Sequence, residues 1–166
     1  MNDQTPPRSV LFVCTANQCR SPMAEALLKS LAAQRGVTDR WQIQSAGTWA
    51  EPGRPATQLA QLVMRQRNID LSHHRSRPVD ANLLTAAHVI LVMTQHHQEA
   101  LQAEFPEIQG KVLLLSQLID RKFDIEDPFN GSVDDYELCA TDLQNILTDG
   151  YGRLAEMIDR MVLTQR

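Results

Sequence analysis

The sequence predicts an α/β chain, a three-layer α/β/α sandwich built on a parallel sheet. Two observations carry that expectation. Short, β-rich apolar runs recur at residues 10–13, 88–93 and 111–115, as in strands buried on both faces. Stretches with helical spacing separate them, and alternating strands and helices build parallel sheets through right-handed crossovers. A third observation says where to look for chemistry. The first run ends in Cys14, and Thr15-Ala16-Asn17-Gln18-Cys19-Arg20-Ser21 follows before a helical pattern begins. In such sheets ligands bind beyond the carboxyl ends of the strands.

Each element has its own local reason. After the first strand, Pro22 suits a first helical turn. Met23, Leu27 and Leu31 then recur every fourth residue until Gly36 stops the helix. Residues 41–45 alternate weakly and read as a short strand. Residues 46–55, with Gly47, Gly53 and Pro55, read as a loop. Residues 57–67 carry a helical stripe of Leu59, Leu62 and Val63. After the second strong strand, residues 95–105 read as a helix ended by Pro106. The third strand leads into an acidic, irregular stretch at 120–131. Residues 134–166 read as mostly helical, with a break expected near Gly150 and Gly152.

At 166 residues, the chain has the length of one domain with a substantial core. Residues 9–166 are read as that domain, and the polar, Pro-rich residues 1–8 as a frayed end. The N-terminal stretch lacks the apolar segment of a signal peptide. No window is apolar enough to cross a membrane, so a cytoplasmic protein without a membrane partner is expected, with a monomer favoured. A net charge of −4 and scattered basic residues argue against nucleic-acid binding. Three cysteines, two of them flanking one loop, do not make a disulfide framework. They suit a reducing compartment, where a thiolate survives.

The loop after the first strand places a thiol and a guanidinium around a helix N-terminus. Backbone N–H groups, a positive helix end and a five-donor planar side chain can converge there on one anion. Such surroundings favour thiolate over thiol, which makes Cys14 a candidate nucleophile toward a phosphate ester. Arg20 can grip two phosphoryl oxygens, with the backbone N–H groups of residues 15–20 on the others. Ser21 can donate to the Cys14 sulfur or simply cap the helix. Asn17 suits an unusual backbone turn. Cys19 is either inert packing or a partner that resolves oxidised Cys14 into a disulfide. The leaving group needs an acid. Asp120, Asp124, Glu126, Asp127, Asp134 and Asp135 are candidates. Asp127 is favoured because Pro128 stiffens its loop and Phe129 offers an apolar ring. The same carboxylate would later activate water against a phospho-cysteine. This chemistry needs no cofactor and no metal.

These residues resemble the low-molecular-weight protein tyrosine phosphatases. The resemblance runs from about Ser9 to the last helix. It rests on residues 13–22, on Ser45-Ala46-Gly47-Thr48, on Leu71-Ser72-His73-His74-Arg75, on residues 89–94 and on Asp127-Pro128-Phe129. It implies a four-stranded parallel sheet with residues 41–45 as an edge strand. It also implies Cys14 as nucleophile, Arg20 as phosphate clamp and Asp127 as general acid, acting on a phosphorylated protein or peptide. Through it alone Ser45 and His74 become supports of the phosphate loop, and Trp49 joins Phe129 as a pocket wall.

Three positions depart from the common family pattern: Ala16 for glycine, Gln18 for isoleucine, and Phe129 for tyrosine. Met93-Thr94, His97 and Asp127-Pro128-Phe129-Asn130-Gly131 are similar to a bacterial branch that dephosphorylates arginine. That branch usually has threonine where Gln18 stands. Phosphotyrosine is taken first, as the broader family assignment, with phosphoarginine as the alternative. Arsenate reduction through a cysteine relay fits poorly, because Cys139 is the only cysteine outside the loop. A metal site on His96 and His97 fits poorly too, since adjacent helical residues point apart. A phosphate-binding module without turnover would need neither Cys14 nor Asp127.

Overall fold

The computed structural model describes residues 5–165. Four parallel strands form one sheet: β1 (Arg8–Cys14), β2 (Trp41–Gly47), β3 (Val89–Val92) and β4 (Val112–Leu114). Their order is β2-β1-β3-β4, so β1 is central and β2 is an edge strand. Among the described residues five α-helices accompany the sheet: α1 (Arg20–Gln34), α2 (Gln58–Arg65), α3 (Ala81–Ala86), α4 (Gln95–Glu104) and α5 (Val133–Thr164).

The alternation of side chains along β1 feeds two cores. Val10 and Phe12 face a layer that includes Met23 and Leu28 of α1 and Leu143 and Leu154 of α5. Leu11 and Val13 face Leu84 of α3 and Leu101 of α4 on the other side. This is the α/β/α sandwich with a four-stranded parallel sheet expected from the sequence. Burying each such side chain stabilises the fold by about 1.5–3 kcal/mol. Truncating Phe12, fully buried between layers, would cost about 3–5 kcal/mol.

Register positions the site. Cys14 pairs with Gly47, so β1 and β2 end side by side. Helix starts carry local signals. Thr57 caps α2, Thr94 caps α4, and Ser132 with Asp135 forms a capping box at α5. Helix α1 is different. Its N-cap is Cys19, with no side-chain cap and no acidic residue in the first turn. That leaves backbone donors and the positive helix end to the preceding loop.

Several boundaries differ from the sequence reading. The expected frayed end reaches into β1, because Arg8 pairs with Trp41 and forms an ion pair with Asp159. Residues 1–4 of that segment lie outside the described residues. Strand β2 continues through Gly47, two residues beyond the expected end. Helix α3 has no counterpart in the sequence reading, because its six residues are too few for a clear period. Helix α5 runs unbroken through Gly150 and Gly152. At Gly150 a Cβ would stand 2.6 Å from Leu118 Cβ. Close packing there outweighs the roughly 1 kcal/mol helix penalty of glycine.

Candidate active site

The loop between β1 and α1 is organised around one buried asparagine. Asn17 adopts a left-handed conformation, φ 57°, which asparagine tolerates better than most residues. Its Nδ2 donates to Ser21 Oγ at 2.8 Å and to Ser45 Oγ at 2.9 Å. Its Oδ1 accepts the Arg77 backbone N–H at 3.0 Å. Its own carbonyl accepts from His74 Nε2 at 2.7 Å. One side chain therefore ties the loop to α1, to β2 and to the segment after His74. The left-handed turn falls on Asn17, and Ala16 does not have a positive φ.

Ser21 Oγ lies 3.0 Å from Cys14 Sγ and 3.4 Å from the Ala46 carbonyl. Since Asn17 already donates to this oxygen, the Ser21 proton is available to the sulfur. Cys14 and Ser21 are both buried. Thr48 and Trp49 donate their backbone N–H groups to the Cys14 and Thr15 carbonyls, each at 2.9 Å. Those carbonyls thereby turn toward the β2 side. Gly47 makes the approach possible: a Cβ there would lie 2.3 Å from the Thr15 oxygen and 3.0 Å from Asn17 N.

Arg20 is 4% exposed. Its Nη1 donates to the Ile125 carbonyl at 2.9 Å, and Nη2 meets Asp127 Oδ2 at 3.3 Å. Its Nε is buried without a hydrogen-bond partner. A guanidinium donor in that state costs stability unless a ligand uses it. Asp127 is half exposed and its Oδ1 accepts the Phe129 N–H at 3.1 Å. Of the six carboxylates considered from sequence, Asp127 is the one that meets Arg20. Asp124 accepts the Gln95 N–H at 2.8 Å at the start of α4. Asp120 pairs with Arg153, and Asp135 serves the α5 capping box. Asp134 sits exposed in the first turn of α5.

The remaining expected residues divide. Cys19 Sγ lies 3.3 Å from the Tyr136 hydroxyl and 3.6 Å from Thr57 Oγ1. Burial pushes its thiol pKa up, against the pull of those two hydroxyls. Gln18 Nε2 donates to the Pro55 carbonyl at 3.0 Å. The Trp49 and Phe129 side chains are 85% and 59% exposed.

Four contributors escaped sequence reasoning: Gly47, Arg77, Tyr136 and the site role of His97. Only Gly47, a glycine closing a strand, left a signal that could have been read. His97 is 3% exposed. Its Nε2 lies 2.8 Å from Thr15 Oγ1 and its Nδ1 3.0 Å from Thr94 Oγ1. Burial, then the Arg20 guanidinium, lower its pKa to about 4, so the ring is neutral near pH 7.

A buried cysteine beside an uncapped helix start, an arginine with a spare donor and a half-exposed aspartate can bind an anion and attack it. Comparison with known proteins agrees. The chain is 37% identical over 139 residues to the protein-arginine-phosphatase of Bacillus subtilis (strain 168), covering 83% of this chain and 91% of that protein. It is 38% identical over 130 residues to a probable low molecular weight protein-tyrosine-phosphatase, EpsP, of Ralstonia solanacearum, covering 78% and 84%. Among solved structures, a cysteine-to-serine mutant of YwlE arginine phosphatase with a phosphorylated active site serine superimposes with TM-score 0.85. The identity is 34%, over 92% of this chain and 98% of that one. Residues 9–160 match the model of the low molecular weight phosphotyrosine protein phosphatases, and the chain belongs to that family of cysteine-based phosphatases.

Proposed function

We propose that this protein is a protein-arginine phosphatase. The observation that carries the choice is its 37% identity to the Bacillus subtilis protein-arginine-phosphatase, over most of both chains. A protein of Geobacillus stearothermophilus with the same activity in its name is 35% identical over 92% of this chain. This reverses the order taken from sequence, where phosphotyrosine stood first. A local feature points the same way. Gln18 Nε2 is committed to Pro55, which leaves the amide oxygen as the acceptor this side chain can offer. A phosphoguanidinium carries N–H groups that need acceptors when desolvated, and a phenyl ring does not.

In this reading the phosphoryl group lies against the α1 N-terminus and the Arg20 guanidinium. The Cys14 thiolate attacks phosphorus. The P–N bond breaks, and protonated Asp127 gives its proton to the leaving guanidine nitrogen. Ser21 holds a hydrogen bond to the sulfur, favouring thiolate before attack and again as leaving group. Asp127, now a carboxylate, takes a proton from water, whose oxygen attacks the phospho-cysteine. Phosphate leaves and the thiolate returns. The phosphorylated residue would be presented on a protein or peptide, with Trp49 and Phe129 flanking the approach.

The test is kcat/KM on matched peptides carrying phosphoarginine or phosphotyrosine. The expected result favours phosphoarginine by at least tenfold, equal to about 1.4 kcal/mol of transition-state discrimination. Preference for phosphotyrosine would support the second reading, which the similarity to EpsP favours.

A further inference from the structure

The first turn of α4 touches both loops that the proposed reaction needs. On one side His97 reaches Thr15, the residue after the nucleophile, at 2.8 Å. On the other, the Gln95 N–H is held by Asp124 at 2.8 Å, three residues before Asp127. Between them the Met93 carbonyl accepts the Ile125 N–H at 2.8 Å, and Ile125 supplies the carbonyl that Arg20 grips.

Proton accounting assigns the ring. Thr94 Oγ1 accepts the His97 backbone N–H at 3.2 Å as the α4 cap. Its own proton therefore needs an acceptor, and His97 Nδ1 stands 3.0 Å away. A neutral imidazole whose Nδ1 accepts carries its hydrogen on Nε2. Nε2 then donates to Thr15 Oγ1. The charged or titratable groups acting on the ring are Arg20 and His96, which disfavour a second proton, and Asp124 and Asp127, which favour it.

We propose that the first turn of α4 is a bracket that sets the distance between nucleophile and acid, with His97 and Asp124 as its two positioning residues. His97, as the Nε2–H tautomer, pins the phosphate loop through Thr15. Asp124 pins the acid loop through the α4 backbone. Neither touches substrate. The proposal builds on the phosphatase reading but does not depend on which phosphorylated residue is the substrate. Positioning at this distance matters because misplacing a catalytic group by about 1 Å can cost 10²-fold.

The two pins separate by experiment. Asp124→Ala is expected to lower kcat on phenyl phosphate by about tenfold, and less on 4-nitrophenyl phosphate, whose leaving oxygen needs little protonation. Inhibition by inorganic phosphate should stay within about twofold, because the phosphate loop keeps its own pin. Asp124→Asn, whose carbonyl can still accept the Gln95 N–H, should restore kcat. Thr15→Val should weaken phosphate inhibition and lower kcat/KM on both esters, with Thr15→Ser restoring both. His97→Gln combined with Thr15→Val should be no worse than the more damaging single change. Nitrogen-15 NMR of the imidazole should show a proton on Nε2. Asp124→Ala losing equally on both esters, or a proton on Nδ1, would overturn the bracket. Wild-type protein inactive on phosphoarginine peptides as well as on every phosphate ester would overturn the phosphatase reading, while the NMR result would still decide the tautomer.

Discussion

Residues 14–21 and residues 120–131 meet at Arg20, yet they are held in place differently. The first segment buries Cys14, Asn17, Cys19, Arg20 and Ser21. Asn17 alone engages Ser21, Ser45, Arg77 and His74. The second segment is mostly exposed and includes a left-handed residue at Asp120. It is anchored by the backbone of Ile125, by Asp124, and by Ser116 with Phe123. The contrast matches the different tasks that the proposed reaction gives to each part. A cradle must be preorganised, because its donors must not reorganise during the reaction. An acid must exchange its proton with water, and Asp127, the proposed acid, keeps an exposed face.

Substitutions can test that contrast, beginning with the largest effect. Cys14→Ser should abolish turnover while inorganic phosphate still binds, measured by calorimetry; full activity would remove Cys14 from the reaction. Arg20→Lys keeps the charge but loses the fork, and should lower kcat/KM by about 10²-fold or more. Asp127→Asn should cost about 10²-fold on poor leaving groups, with little loss of phosphate binding. Equal loss on phenyl and 4-nitrophenyl phosphate would make Asp127 structural and erase the distinction between cradle and acid.

Stability should separate the two loops as well. Asn17→Ala leaves buried partners unpaired, each costing about 1–3 kcal/mol, whereas Asp127→Asn should cost under about 1 kcal/mol. Urea unfolding of both variants gives the comparison. Gly47→Ala forces a methyl against the Thr15 carbonyl and should cost about 1–3 kcal/mol with a loss of phosphate binding. Wild-type stability after that change would mean the cradle yields more than its packing implies.

The ring between the loops gives a pH signature. Unfolded histidine titrates near 6.5, and folded His97 near 4. Between those values the unfolded chain binds the extra proton. Stability should therefore be fully present above pH about 6.5 and fall as pH drops toward 4, by up to about 3 kcal/mol. His97→Gln should flatten that slope; an unchanged slope would assign it to other groups. The smallest effect is expected at the far end of β1. Hydrogen bonding to Arg8 lowers the Asp159 pKa, and this half-exposed pair should contribute under about 1 kcal/mol after solvent screening. That contribution should be present above pH about 4 and lost as pH falls through the depressed folded pKa. Asp159→Asn should leave kinetics untouched.

The sequence by itself determined the inner strands, the starts of the longer helices and the loop that carries Cys14 and Arg20, because those signals are local. Apolar runs at 10–13 and 88–93 can satisfy burial only as inner strands. The spacing from Cys14 to Arg20 and Pro22 places a thiol before a helix, wherever the rest of the chain lies. Tertiary structure decided what depends on meetings between distant segments. Six acidic residues are candidates from sequence, and of these the fold brings Asp127, over a hundred positions away, against Arg20. Gly150 looked like a helix break until Leu118 packed against it. Gly47 became indispensable only when Thr15 turned its carbonyl onto it. His97 was one residue of a family-like pattern, and burial between Thr15 and Thr94 made it part of the site. A side chain's partners, and with them its protonation, are set by the packing of elements far apart in the chain, so no window of neighbouring residues contains them.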